Sequence, residues 1–297
     1  KKFVKGGLKD LSISRTTFKW GIEVPKSENH IIYVWLDALQ NYLSALEFPN
    51  TNSKLYSDFW PGVHVVGKDI LRFHSIYWPA FLMAANLPVP KRIFSHGWWT
   101  NEGKKISKSL GNVIDPFKII NEFGLDEVRY FLFSQVPFGE DGDFSNKAIV
   151  KRVNADLSNN FGNLVQRIFS FVQKNCKSNI YSVVINNDED NELINFSLIK
   201  FSDYKKFMDD QLIDKAIKEV MELLTKTNIY IDKQTPWNLK KNNPKRMNEV
   251  LFVATEIIRR SSLLLYPIMP DSCEKILSLM NYNVKNISFN FYDYFEK

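Results

Sequence analysis

The chain has 297 residues, 44% hydrophobic and 24% charged, which suits two domains with cores of their own and excludes a disordered or low-complexity protein. No apolar run reaches the roughly 20 residues of a membrane-spanning helix, and Lys1 to Gly7 lacks the apolar stretch of a signal peptide. Two cysteines, Cys176 and Cys273, far apart and without CxxC spacing, argue for a reducing, cytoplasmic setting, while a net charge of +6 permits nucleic-acid binding without requiring it.

In chain order, the first half reads as strand-then-helix units. His30 to Trp35, rich in β-branched and aromatic residues, predicts a strand, with a helix from Asp37 to Leu46 behind it. His64 to Gly67 predicts a second strand, followed at helical spacing by Ile70, Phe73, Tyr77, Phe81 and Ala84. Arg92 to Gly97 predicts a third. Strands alternating with helices imply parallel βαβ units in a doubly wound α/β sheet, whose ligands bind beyond the carboxyl ends of the strands. That places Trp35, Gly67 to Asp69 and His96 to Trp98 around one cleft.

From Asn146 onward amphipathic stretches take over: Ala148 to Val172, Tyr204 to Ile231, Met247 to Leu265 and Ser272 to Met280. Polar breaks at Asn186 to Asn191 and Lys240 to Pro244 read as loops, and the whole as an antiparallel helical bundle. The expected architecture is therefore α/β over residues 1–145 followed by all-α over 146–297. A chain that opens on Lys1 fits a piece of a longer protein.

The sharpest motif is Lys105-Ile106-Ser107-Lys108-Ser109, with Gly103 before it and Leu110-Gly111-Asn112 after. Lysines three apart act as point charges on phosphate oxygens, serines add neutral hydrogen bonds, and flanking glycines let the backbone approach a ligand. Taken alone, a KxxK of this kind is usually a solvated basic loop.

The match runs much further. Gly103 to Gly111 resembles the KMSKS signature of class I aminoacyl-tRNA synthetases, with isoleucine for methionine. The segments HVVGKDILRFHSIYWPAFL (His64 to Leu82), Ser95 to Trp99, Gly124 to Ser145, Leu8 to Pro25 and Tyr33 to Ala38 resemble the methionyl-tRNA synthetase family. The resemblance spans essentially the whole chain. It implies the second half of a Rossmann-type catalytic domain plus a helical anticodon-binding domain. It also implies a methionine–tRNA ligase that uses ATP with Mg2+ as substrate and partners methionine and tRNA(Met).

Carried over position by position, the resemblance implies that Lys108 neutralises the departing pyrophosphate, with Lys105 supporting and Ser107 and Ser109 shaping the loop. Charge stabilisation of this kind is worth ~10²–10³ in rate per contact. A thioether wants apolar, polarizable walls, which Trp35, Tyr42 and Ile70 supply. The family match makes Asp69 the holder of the substrate ammonium, although an aspartate opening a helix is otherwise read as a cap. His74 matches the histidine at the methionine side chain, and a lone histidine beside Phe73 is otherwise a packed core residue. Phe73 and Trp78 match aromatic residues repacked around methionine, though core packing alone accounts for them too. His96, Gly97 and Trp98 match the segment accepting adenine and ribose, while His96 read alone simply ends a strand.

In the helical half, Asn163 and Arg167 lie four apart on one helix, and Pro236-Trp237 follows another. These positions match the family's readers of the CAU anticodon; without the resemblance Trp237 reads as a core plug in a loop. None of the four histidines begins a HIGH-type signature, so that motif and the inserted domain with its zinc knuckle are expected upstream, and no metal site is expected here. A class I synthetase for leucine, valine or cysteine stays open, as does a catalytically inactive tRNA-binding module. A dinucleotide oxidoreductase does not fit, because no GxGxxG follows a strand. Oligomeric state is not legible.

Overall fold

The computed structural model describes residues 2–106 and 111–282 and divides into two compact units, one ending at His96 and the other starting at Gly97. In the first unit a short helix, Lys2–Lys5 (α1), precedes Ser14–Arg15 (β1), which pairs antiparallel with Ile31–Ile32 (β2). Tyr33 then caps Val34–Ser44 (α2), so the strand expected over His30 to Trp35 is cut short and Trp35 lies in the first turn of a helix. Leu39 and Leu43, one turn apart on α2, form its buried face, both within 2% of full burial. Lys54–Phe59 (α3) starts at Ser53, whose hydroxyl accepts from the Tyr56 amide.

Val63–Gly67 (β3) and Arg92–His96 (β4) form the expected parallel pair, His64 opposite Ile93 and Gly67 opposite His96. The crossover is helical. It contains a π turn, Phe73–Tyr77, that runs into Trp78–Ala84 (α4). Leu39, Leu43, Tyr56, Trp60, Trp78 and Leu82 make the core of this unit. Each such side chain contributes about 1.5–3 kcal/mol on burial.

In the second unit Trp99–Asn101 (β5) turns back through Lys104–Lys105 (β6) and pairs in parallel with Gly142–Phe144 (β7). Pro116–Phe123 (α5) and Leu125–Gln135 (α6) lie between β6 and β7 in the chain. The helical run begins at Asn146–Arg152 (α7) and passes through a π-helical segment, Val153–Gly162, into Asn163–Asn175 (α8). It continues as Asp188–Asp209 (α9), Ile213–Gln234 (α10), Pro236–Asn242 (α11), Pro244–Leu265 (α12) and Pro270–Leu279 (α13). Ala216, Val220, Leu223 and Leu224 of α10 meet Val250, Ala254, Ile257 and Ile258 of α12 in one core, all fully buried.

Two expectations about this unit change. The polar run Asn186 to Asn191, read as a loop, holds a helix start: Asn187 accepts from the amides of Glu189 and Asp190, and Asp188, Glu189 and Asp190 fill the first turn, where the helix dipole favours acids. The break falls instead at 210–212, inside the stretch read as one helix from Tyr204 to Ile231. The compact unit that starts at Gly97 includes α6, which is bound to the bundle. Arg129 donates to the carbonyls of Ile268 (2.7 Å) and Pro267 (2.9 Å), Asp126 accepts from the Ser272 amide (2.6 Å), and the Tyr130 hydroxyl donates to Asp156 (2.8 Å).

α9 is tied to α10 and α12 by a buried charge. Asp190, 1% exposed, accepts from both guanidinium nitrogens of Arg246 and from the Tyr230 hydroxyl, at 2.6–2.7 Å. Burial and that carboxylate push the Tyr230 phenol well above its ordinary range.

Candidate functional site

In the first unit α2, β3 and the π turn gather a cluster of rings. Trp35 stacks on Phe73, centroids 4.0 Å apart and planes at 10°, and meets His74 edge-on at 6.1 Å. Tyr42, two turns along α2 from Trp35, lies 5.7 Å from His74 and 6.4 Å from Trp78. The π turn therefore sets Phe73 and His74 against the residues of α2 singled out for a thioether pocket.

His74 is 2% exposed, and both ring nitrogens are used. Its Nδ1 lies 3.0 Å from the Ile70 carbonyl, which can only accept, so Nδ1 carries a proton. In the neutral ring Nε2 then accepts from the Tyr42 hydroxyl at 2.9 Å. This fixes the Tyr42 oxygen with its lone pairs turned outward from His74. Burial raises the Tyr42 phenol above its usual range, so it stays protonated.

Two cluster members escaped the sequence reading. His64, inward on β3 and 6% exposed, packs 4.3 Å from Tyr42 and 5.9 Å from His74. Burial, with His74 adding to it, lowers its pKa, so His64 is uncharged at neutral pH. Trp60 closes the group, 6.1 Å from both His64 and Trp78. The alternation of β3, with His64 and Val66 buried and Val63 and Val65 exposed, is the signal that would have found His64.

Asp69 and His96 sit beside each other at the carboxyl ends of β3 and β4. A Cβ on Gly67 would stand 2.5 Å from Asp69 Oδ1 and 3.8 Å from His96 Cε1, so glycine is required for the Asp69 carboxylate to fold over the strand end. Asp69 is exposed and lines, with Tyr33, Lys68, Arg72 and Phe73, a cavity of about 400 Å³. Leu71 and Arg72 are already helical, so the helix behind β3 begins two residues after Asp69 and runs straight into the π turn.

In the second unit Gly97 is buried, and a side chain there would collide with the Glu140–Asp141 backbone. The neighbouring Trp98 is 48% exposed, its amide donating to Asp141 at 2.8 Å. Lys105 lies on the outgoing arm of a hairpin whose turn, Glu102-Gly103, has φ of 50° and 75°, the positive values a two-residue turn requires. Asp143 accepts from the Gly103 amide and the Thr100 hydroxyl, both at 2.6 Å. Asn112 donates to the Lys105 carbonyl (3.0 Å), and its own carbonyl accepts from Asn101 (2.9 Å). Asn101, Asn112 and Asp143 therefore clamp the stem of the loop. Ser107, Lys108 and Ser109 lie outside the described residues.

Further along, Asn163 and Arg167 occupy successive turns of α8. Arg167 lies 5.7 Å over the Trp237 ring and donates to Asp232 at 2.5 Å. Trp237 is not in a loop but in the first turn of α11, behind the buried Pro236, where Thr235 takes φ of 43° to break α10. It is 43% exposed, too open for a core plug. Arg167, Pro236 and Trp237 share a cavity of about 140 Å³ with Ile168, Phe171 and Ile231.

The sequence model for class I tRNA synthetases (M) matches residues 1–169, more than half of the chain, and that for the anticodon binding domain of methionyl tRNA ligase matches residues 184–293. The chain belongs to the class I tRNA synthetases of the M type. This synthetase chain is 52% identical over 285 residues to the methionine–tRNA ligase of Rickettsia felis, covering 95% of itself and 56% of that protein. To the methionine–tRNA ligase of Brucella suis it is 48% identical over 279 residues, covering 94% of itself and 54% of that protein. Its fold is similar to that of Mycobacterium tuberculosis methionyl-tRNA synthetase in complex with methionyl-adenylate, with a TM-score of 0.91 and 44% identity over 97% of this chain and 58% of that one. The free form of the same enzyme gives 0.89 at 41% identity. The synthetase chain thus spans little more than half the length of these relatives. No helix among its described residues is long and apolar enough to cross a membrane.

Proposed function

We propose that this chain is the part of a methionine–tRNA ligase that carries one wall of the active site together with the anticodon-binding bundle. The observation that carries the reading is the likeness, across 97% of the chain, to a synthetase solved with methionyl-adenylate. Methionine's carboxylate attacks the α-phosphate of ATP, delivered with Mg2+, pyrophosphate leaves, and the aminoacyl group passes to tRNA(Met). The thioether lies among Trp35, Tyr42, Ile70 and His74, an aromatic and polarizable setting that suits sulfur. Asp69, exposed at the strand ends, holds the ammonium. His96, Gly97 and Trp98 accept the nucleotide. Lys105 and Lys108 meet the phosphates, and Ser107 and Ser109 shape their loop, where cations count most as charge develops on the leaving group. Asn163, Arg167, Pro236 and Trp237 read the CAU anticodon by base-edge bonds and stacking, which the exposed indole and adjacent guanidinium support. The functional division falls near 145/146, and the enzyme works in the cytoplasm.

The test is ATP–pyrophosphate exchange by the full-length protein. Exchange that requires methionine is expected. Exchange driven by leucine, valine or cysteine would assign another amino acid, and binding of tRNA without any exchange would identify an inactive tRNA-binding module.

A further inference from the structure

The helix that carries Asn163 and Arg167 does not continue the register of α7. Ile149 of α7 is fully buried. At 3.6 residues per turn, three turns from Ile149 reach Asn160, about four reach Asn163 and five reach Arg167. An unbroken α-helix would therefore line up Asn163 and Arg167 with a buried face. The buried residues are instead Phe161, Leu164, Ile168 and Val172, each one position further on. The difference is taken up by the π-helical segment Val153–Gly162, in which turns close one residue late: the Asn163 amide reaches the Ser158 carbonyl, five residues back.

Gly162 ends this segment and is exposed, so packing does not explain a residue that weakens helices. A Cβ there would sit 2.8 Å from the Leu157 carbonyl oxygen, again five residues back. On the inner side Asn160 locks the wide turn to α10. Its amide donates to Thr225 Oγ1 at 3.0 Å and to the Met221 carbonyl at 3.3 Å, and its Oδ1 accepts from Asn228 at 2.9 Å.

We propose that the π-helical segment, completed by Gly162, is a register device that turns α8 by one residue, about 100°, so that Asn163 and Arg167 turn away from the core and Arg167 reaches the Trp237 ring. Gly162 is accordingly a positioning residue for RNA recognition. This rests on the anticodon reading above.

The test is titration of this chain with a CAU stem-loop and with a loop of changed anticodon, each variant accompanied by a thermal melt. Gly162→Ala is expected to weaken CAU binding roughly tenfold, the worth of about one base contact, and to narrow the ratio between the two loops. Deleting Asn159, an exposed residue of the segment, in the Gly162→Ala background lets the turns close four residues back with the downstream register intact. That double variant is expected to regain CAU discrimination, including when Gly162→Ala alone fails to fold. Unchanged discrimination in Gly162→Ala, or a double variant that neither folds nor discriminates, overturns the proposal. A wild-type chain that binds neither loop overturns the anticodon reading itself, which separates the two failures.

Discussion

Replacing Trp237 by alanine separates RNA recognition from packing. Truncating a fully buried tryptophan costs roughly 3–5 kcal/mol. Trp237 keeps 43% of its surface exposed, so a little over half of that, about 2 kcal/mol, is expected, including an Arg167 contact worth about 0.5–1 kcal/mol at 5.7 Å. In a unit of this size that is a fall of roughly 4–8 °C in melting temperature. Loss of a stacking platform removes about 1–3 kcal/mol per base, or roughly 5- to 150-fold in affinity. Fluorescence anisotropy with CAU and altered stem-loops, below the melting range, measures the second quantity without the first. A variant that melts more than about 10 °C early yet still discriminates the loops would show Trp237 to be structural and refute the stacking argument.

Lys108→Ala in the full-length protein should slow methionine-dependent exchange by ~10²–10³ while leaving methionine affinity unchanged, which pre-steady-state kinetics resolves. Asp69→Asn should weaken methionine binding by about 1.5–3 kcal/mol in calorimetry, the value of a charge-assisted bond, and an unaltered affinity would return Asp69 to a structural role. Arg246→Met strands the Asp190 carboxylate, 1% exposed, and should cost about 3–5 kcal/mol in a denaturant melt, most of it recovered by a second change, Asp190→Leu. His64 has a folded pKa below its ordinary value of about 6.5, so the unfolded chain binds the proton more readily. Its contribution to stability is full above about pH 6.5 and is lost as pH falls towards the folded value, and His64→Phe should flatten melts taken between about pH 7 and pH 5.

Much of this was legible before any coordinates. The parallel pair β3 and β4 follows from two short apolar runs separated by helical spacing, and Trp35, His64, Phe73 and His74 lie within segments that resemble the family. Local signals misled where they compete. Ile31 to Trp35 carries strand-forming side chains, but only Ile31–Ile32 pair as a strand and the helix begins at Val34. Asn186 to Asn191 is polar enough for a loop, yet its asparagine and acids are what a helix start uses. The π-helical segment was hidden because a one-residue slip in apolar spacing reads as noise along a single amphipathic stretch. The clamps at Asn101, Asn112 and Asp143 and the α6 contacts with 267–272 join residues far apart in the chain, and such pairs leave no periodic trace.

The most direct measurement is aminoacylation by the full-length protein: transfer of labelled methionine to tRNA(Met) transcripts, beside leucine, valine and cysteine with their own tRNAs. Charging of tRNA(Met) with methionine, lost when the CAU anticodon is changed, is the result predicted. Charging of another tRNA with its own amino acid, or methionine transfer indifferent to the anticodon, would contradict the account.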